Sequence, residues 1–364
     1  DWYMTSNRLT VQETTNLLYN NSLYDNVTPQ STSEFIRVMA ANYLSTNGAD
    51  WMRYVQISNS GTYNNQWMVV DMKLVNPLAA DNMTKIPDGT LWVYEQLPDP
   101  YGRFADVSHV LRDNGMWISY NLPYFPEVYN VSGNEAMKEQ YGSYFSYDKY
   151  ARPEIFHRQA PSITDLDGMK TMMRYNRYWD DEFSLIPGCD KCTPNNSAML
   201  SISSRGDLDP YLGDKGINMG PLATIPEVGQ QNLGAVDAKI TSWTMTQDPA
   251  NLLGHVICGP TLGFENKLPV FNWSIAERLP ALKNYVAHLM HAEAYNFTWQ
   301  PYTASVPRMD LQVPANRFQG AAVAVVVVLS VVLVILFLFL FYRLHFGTGK
   351  NAAGTKGEHQ PLNA

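Results

Sequence analysis

Residues 320–342 carry no charged side chain, and positions 325–341 are Val, Leu, Ile and Phe except for Ser330. At a rise of ~1.5 Å per residue the segment reaches roughly 34 Å, against a bilayer core of ~30 Å. Ser330 can bond back to a carbonyl one turn earlier, so it does not break the run. A soluble core helix of this length would show a polar face, and this one has none. The segment is therefore expected to be a single transmembrane helix. Arg343, His345, Lys350 and Lys356 follow it and Arg317 precedes it. The excess of cations after the helix puts the tail 343–364 in the cytosol and residues 1–319 in a lumen or outside the cell. The tail is rich in Gly, Ala and Asn and is expected to be disordered.

The region before the helix has the makings of a folded domain. The chain of 364 residues is 45% hydrophobic and 16% charged, which permits a large core. Its net charge of −8 argues against an electrostatic nucleic-acid binder. Seven Asn-x-Ser/Thr sequons, at Asn20, Asn26, Asn82, Asn130, Asn195, Asn272 and Asn296, all fall before the helix. They fit glycosylation of a lumenal domain.

Periodicity predicts helices over 28–42, 162–178 and 282–294, with Ser31 or Ser33 near the first cap. Strands are expected over 66–74 and 90–96, and a long loop region over 186–232. The result is an α+β domain over 1–305, then a stalk over 306–319, the span over 320–342 and the tail.

No isolated motif declares a chemistry. Cys189-x-x-Cys192 fits half a zinc site, a redox pair or a small disulfide loop. No second Cys pair completes a zinc site, and an oxidising lumen favours the disulfide. Cys258 would then be left over, free and buried or paired outside the chain. His288 and His291 lie at helical spacing without a third metal ligand. Asp165, Asp167, Asp180 and Asp181 fall near a helix start and end, where capping and solvation explain them. Arg205-Gly206-Asp207 is an integrin-type tripeptide that chance supplies often. There is no Gly-x-Ser-x-Gly nucleophile elbow. No cofactor and no metal are expected.

A collinear series of blocks carries more. NSGTYNNQ at 59–66, GTLWVYEQ at 89–96, VLRD at 110–113 and WISYNLPYF at 117–125 come first. FSYD at 145–148, ARPEIF at 151–156, TDLDGMK at 164–170, MRYN at 173–176 and RGDL at 205–208 follow. GPT at 259–261, LPVF at 268–271 and AYNF at 294–297 close the series. Together they resemble the phospholipase B-like (laminin ancestor) family, over residues 1 to about 305. The resemblance implies an N-terminal nucleophile hydrolase fold, a four-layer αββα sandwich, here incomplete. In such enzymes autoproteolysis exposes a Cys whose thiolate attacks an ester or amide carbonyl, with Asn side chains and backbone amides holding the oxyanion. The family's Cys precedes the region matching Asp1, and no Cys here corresponds to it. The chain as given is therefore expected to lack the nucleophile and to be inactive, with the N-terminal propeptide or small chain of the same protein as a partner.

The resemblance also implies residue roles. Thr14 and Thr15 match a pocket strand, on which alternate side chains face opposite ways. Asn121 matches an oxyanion donor. Arg152 matches a cation able to hold a carboxylate or phosphate. Cys189 and Cys192 match the family's structural pair. The membrane helix departs from the soluble members and is similar to the trypanosomatid lysosomal/endosomal membrane glycoprotein branch. Two functions follow as expectations. One is a type I, lysosomal or endosomal membrane-anchored hydrolase of lipid-type ester or amide substrates, in contact with the bilayer. The other is a non-catalytic lysosomal membrane glycoprotein.

Overall fold

The computed structural model describes residues 1–75, 85–225, 228–231, 233–272, 275 and 297–305. The span expected over 320–342, the helix over 282–294 with His288 and His291, and the sequons at Asn82 and Asn296 lie outside these residues. No helix among the described residues is long and apolar enough to cross a membrane. One compact unit runs from Asp1 to Val306, and a second, Pro307–Ala364, lies outside the described residues.

The first unit mixes helices with two antiparallel sheets. The larger sheet has five strands in sequence order: β1 (Trp2–Met4), β2 (Leu9–Thr15), β3 (Asn65–Asp71), β4 (Leu91–Glu95) and β5 (Arg103–Asp106). The register of β2 on β3 runs from Leu9 opposite Asp71 to Thr15 opposite Asn65. β3 is central and almost wholly buried, which is why its stretch WMVV reads as a continuous apolar run. One face of the sheet presents Leu9, Val11, Trp67, Val69 and Tyr94 to two helices, α1 (Glu34–Leu44) and α2 (Gly48–Val55). The other face presents Met68, Leu91 and Val93 to Leu23, Phe125 and Val128. Phe125 and Val128 sit at the start of α4 (Pro126–Val131), which follows α3 (Ser108–Asn114). Next come α5 (Asn134–Tyr141), α6 (Ala151–Gln159) and α7 (Leu166–Met173). A smaller sheet orders β6 (Asp237–Ile240), β7 (Asn251–Cys258) and β8 (Gln300–Ser305).

Among the described residues the expected elements are present with shifted bounds. The helix predicted over 28–42 starts at Glu34, with Ser33 at its N-cap, because Thr32 N donates to Ser58 O at 2.7 Å and Thr32 bridges Asn59. It runs on to Leu44, and a second helix, α2, follows that periodicity did not reveal. The helix predicted over 162–178 is only α7. Asp165 caps it by accepting from Gly168 N at 2.8 Å. It ends before Asn176, whose amide instead donates to Ala198 O at 3.0 Å and Ser203 O at 2.7 Å. The described residues of the predicted loop over 186–232 hold short 3-10 turns at Gly206–Leu208 and Gly220–Thr224 and isolated bridges such as Thr193 to Asn218.

Cys189 and Cys192 form a disulfide with Cα atoms 5.6 Å apart. Cys258 is free and exposed on β7, so of the two expectations the buried thiol is not met, while an exposed thiol is compatible with pairing outside the chain. The remaining acids have local partners. Asp167 pairs with Lys170 at 2.9 Å and Asp180 with Arg177 at 2.9 Å. Asp181 is buried, pairs with Arg158 and caps a 3-10 turn by accepting from Phe183 N at 3.0 Å.

The block at 59–66 shows why its sequence is specific. Asn59 donates to Leu97 O at 2.6 Å and to Asp99 Oδ1 at 3.1 Å, and accepts from Gly61 N at 3.0 Å. Gly61 has φ +63°, and a Cβ there would lie 2.3 Å from Pro98 Cα. Gly61→Ala is expected to destabilise the domain by about 2–4 kcal/mol, summing left-handed strain and backbone overlap. Urea melts would check this; a variant that melts with the wild type would show that the close approach of 61 to 98 is dispensable.

Candidate functional site

β2 ends at Thr14 and Thr15, which pair with Gln66 and Asn65 of β3 and lie beside the segment 117–122 that precedes α4. Thr14 Oγ1 bonds Ser119 Oγ. Thr15 points its hydroxyl the other way, to Tyr63 OH at 3.3 Å, while its carbonyl accepts from Asn121 Nδ2 at 2.7 Å. The alternation expected of a strand is therefore seen, and both threonines still meet the same segment, one through its side chain and one through its carbonyl.

Asn121 is held from two sides. Its Oδ1 accepts from Arg152 on the first turn of α6. These partners fix the orientation of the amide, since a guanidinium cannot accept and a carbonyl cannot donate. The backbone of Asn121 has φ +71°, a left-handed conformation that Asn tolerates better than most residues. Arg152 also donates through Nε to Ser201 O at 3.2 Å and through NH2 to Ser204 Oγ at 2.8 Å, and lies 5.6 Å from the Tyr150 ring centre. The structure thus brings Thr14, Thr15, Asn121 and Arg152 together with Ser119, Ser201 and Ser204. A cation pulling on the carbonyl end of an amide strengthens the donors at its nitrogen end. One Asn121 N–H is used on Thr15 O, and the amide carries a second.

A buried carboxylate that sequence reasoning missed supports this segment. Glu95, at the end of β4, is fully buried. Its Oε1 accepts from Gln66 Nε2 at 2.6 Å and from Tyr124 N, and its Oε2 accepts from Phe125 N at 3.0 Å. Burial pushes this carboxyl up to about 7, against the opposing pull of its donors. The only sign in the sequence is an acid closing the apolar strand block LWVYE.

A cavity of about 420 Å³ lies elsewhere. It is lined by Lys149, Glu154, Glu182, Asp190 and the Cys189 side of the disulfide loop, and by none of the four predicted site residues. Ser143 and Asn195 also line it, but none of the residues that the family blocks mark as pocket residues does, so the chemistry is sought in the Thr14–Asn121–Arg152 cluster. Arg205-Gly206-Asp207 is interior and cannot present itself to a receptor in this fold. Arg205 makes a two-pronged pair with Asp207, both at 2.7 Å, donates to Thr261 O and to Pro269 O at 2.9 Å, and packs on Phe271. Among the described residues no group of His, Cys, Asp and Glu is arranged to hold a metal ion.

Comparison with known proteins agrees with the block pattern. The Phospholipase B family model matches residues 1–302. Phospholipase B-like protein G of Dictyostelium discoideum is 38% identical over 301 residues, covering 82% of this chain and 45% of that protein. Phospholipase B-like protein B of the same organism is 35% identical over 304 residues, covering 83% and 46%. Phospholipase B-like 1 of Bos taurus is 33% identical over 297 residues, covering 82% and 46%. The chain spans about half the length of the curated relatives it matches. With a family model covering most of its length and relatives above 30% identity, the chain belongs to the phospholipase B family.

Proposed function

We propose that this chain supplies the oxyanion side of a phospholipase B-like hydrolase that cleaves an ester or amide bond of a lipid-type substrate. The observation that carries this is the relay Arg152–Asn121–Thr15, which aims a polarised amide from a strained backbone position. The nucleophile is an N-terminal Cys of the complete αββα sandwich. Its thiolate adds to the carbonyl carbon, the π electrons move to oxygen, and the second Asn121 N–H donates to that oxyanion. Collapse expels the alcohol or amine, which takes a proton from the α-ammonium group, and water then releases the acyl group from sulfur. Residues 320–342 hold the domain at a lysosomal or endosomal membrane, with residues 1–319 in the lumen.

A second reading, a non-catalytic lysosomal membrane glycoprotein, is favoured by one observation. Asn26, Asn130, Asn195 and Asn272 are exposed, as glycan sites must be. Kinetics separate the two. In the complete protein, Asn121→Ala is expected to lower kcat by about 10²–10³ with little change in KM, as loss of an oxyanion donor does. Complete protein that hydrolyses neither phospholipid nor acyl-amide substrates would overturn the hydrolase reading in favour of the second.

The buried acids support an acidic compartment. Burial pushes Asp209 up to about 7 as well, despite bonds from Ser197 Oγ and from Ala198 N at 2.7 Å. A carboxyl whose folded pKa lies above its unfolded value takes up a proton on folding. The stability it allows is full below about pH 4 and is lost as pH rises towards and through about 7. The melting temperature is therefore expected to fall between about pH 5 and pH 7.5, and Glu95→Gln should flatten part of that fall. Calorimetry across this range checks it, and a melting temperature that rises with pH would contradict it.

A further inference from the structure

The segment that carries Ser119 and Asn121 towards Thr14 and Arg152 has a second side. Ile118 and Tyr120, which alternate with them, line a cleft of about 190 Å³ together with Trp117, Tyr124, Tyr147 and Asp148. α6 serves both places: Arg152 reaches the cluster, while Pro153 and His157 line the cleft. We infer that this cleft binds the quaternary ammonium of a phosphocholine group. The inference rests on the hydrolase reading for its place beside a reaction, and deepens that reading by naming the head group.

Four aromatic rings make the case. Trp117 and Tyr124 meet with centres 4.8 Å apart at 64°, Tyr124 and Tyr147 at 6.0 Å and 62°, and Tyr120 and Tyr147 at 5.1 Å and 42°. Rings inclined in this way form walls facing in several directions, as a box for a methylated cation requires, and unlike a flat stack. Their positions are fixed. Tyr120 OH donates to Tyr147 O at 2.7 Å, and Tyr124 N is held by Glu95.

The charge is of the right sign. Asp148 lines the cleft and is exposed, His157 lines it on the α6 side, and among the described residues no Lys or Arg lines it. Burial pushes the Tyr120 and Tyr147 phenols up, and the Asp148 carboxylate adds to the rise in both. The rings thus stay neutral in negative surroundings. Elsewhere in the chain aromatic faces already carry a protein cation, as Arg158 lies 4.9 Å from the Phe183 centre and Lys267 4.8 Å from that of Trp179. Among the described residues none of the four cleft rings does.

The volume of the cleft lies below the roughly 300 Å³ at which pockets for drug-sized ligands begin, which fits one head group and excludes an acyl chain. A quaternary ammonium loses little by leaving water for aromatic walls. The primary ammonium of phosphoethanolamine must give up hydrogen bonds that these rings do not replace.

The test titrates the complete protein with soluble phosphocholine and with phosphoethanolamine, read by tryptophan fluorescence and by calorimetry. Phosphocholine is expected to bind at least about tenfold more tightly. Trp117→Leu should lose at least about tenfold in affinity, Asp148→Asn a few-fold, and Tyr147→Phe, which keeps the ring, almost none. Asp148 is exposed, so its variant reads the charge without risk to the core. Equal affinity for the two head groups, or affinity unchanged in both Trp117→Leu and Asp148→Asn, would overturn the inference. Binding to phosphatidylcholine vesicles without binding to soluble phosphocholine would do the same, as it reports adsorption to a bilayer. Asn121→Ala keeps the two proposals apart, since it should lower kcat by about 10²–10³ and leave phosphocholine binding intact. Tight phosphocholine binding without any hydrolysis by the wild type would sink the hydrolase alone. Hydrolysis without head-group discrimination in binding would sink the cleft alone.

Discussion

The burial of one carboxylate organises the half of this domain that carries the candidate site. Glu95 takes its three hydrogen bonds from two places, the Gln66 side chain inside the sheet and two successive amides, Tyr124 and Phe125, outside it. That arrangement clamps the approach to α4 against the ends of β3 and β4. The segment ahead of the clamp carries Ser119 and Asn121, and the clamp residue Tyr124 is itself a wall of the aromatic cleft. Removing a carboxylate from water is costly, and a partly satisfied one more so. The protein offsets that cost with directed donors and a raised pKa, and obtains a loop whose backbone cannot drift.

The second constraint is the fork of Arg152. Its three named bonds reach a side chain on the 117–122 segment and two residues of the 201–204 loop. A lysine could not span these points, since a planar guanidinium offers fixed, divergent donors and an ammonium does not. Arg152 therefore joins segments distant in sequence, and it also makes a definite choice between the two orientations of the Asn121 amide. The same device recurs in the interior, where Arg205 ties Asp207 to Thr261 and Pro269.

Much of the framework could be read from residue patterns. QWMVV and TLWVYE announce strands because a central strand buried on both faces must be apolar throughout. The helix start was expected at Ser162, and the acid read near that start, Asp165, is the residue that caps it. β2 escaped the same reading because LTVQETT turns polar as it enters the site, where Thr14 and Thr15 bond the neighbouring segment rather than pack a core. α2 escaped because GADWMRYV is short and its charged residues, Asp50 and Arg53, pair on the exposed side. The site was legible only through family blocks. Thr14 and Ser119 are 105 positions apart, and no local pattern encodes such a meeting. Glu95 stood inside a recognised block, yet nothing in sequence distinguishes a clamp from a solvated acid at a strand end.

The buried Arg205-Gly206-Asp207 turn has a practical meaning for work on this protein. A cell-binding motif that faces inward is a conformational reporter. Intact molecules would show no affinity for receptors that recognise the tripeptide, whereas unfolded or clipped molecules would expose it. Adhesion in a preparation of this domain would then measure the fraction of damaged protein, and should be read as a quality control before it is read as biology.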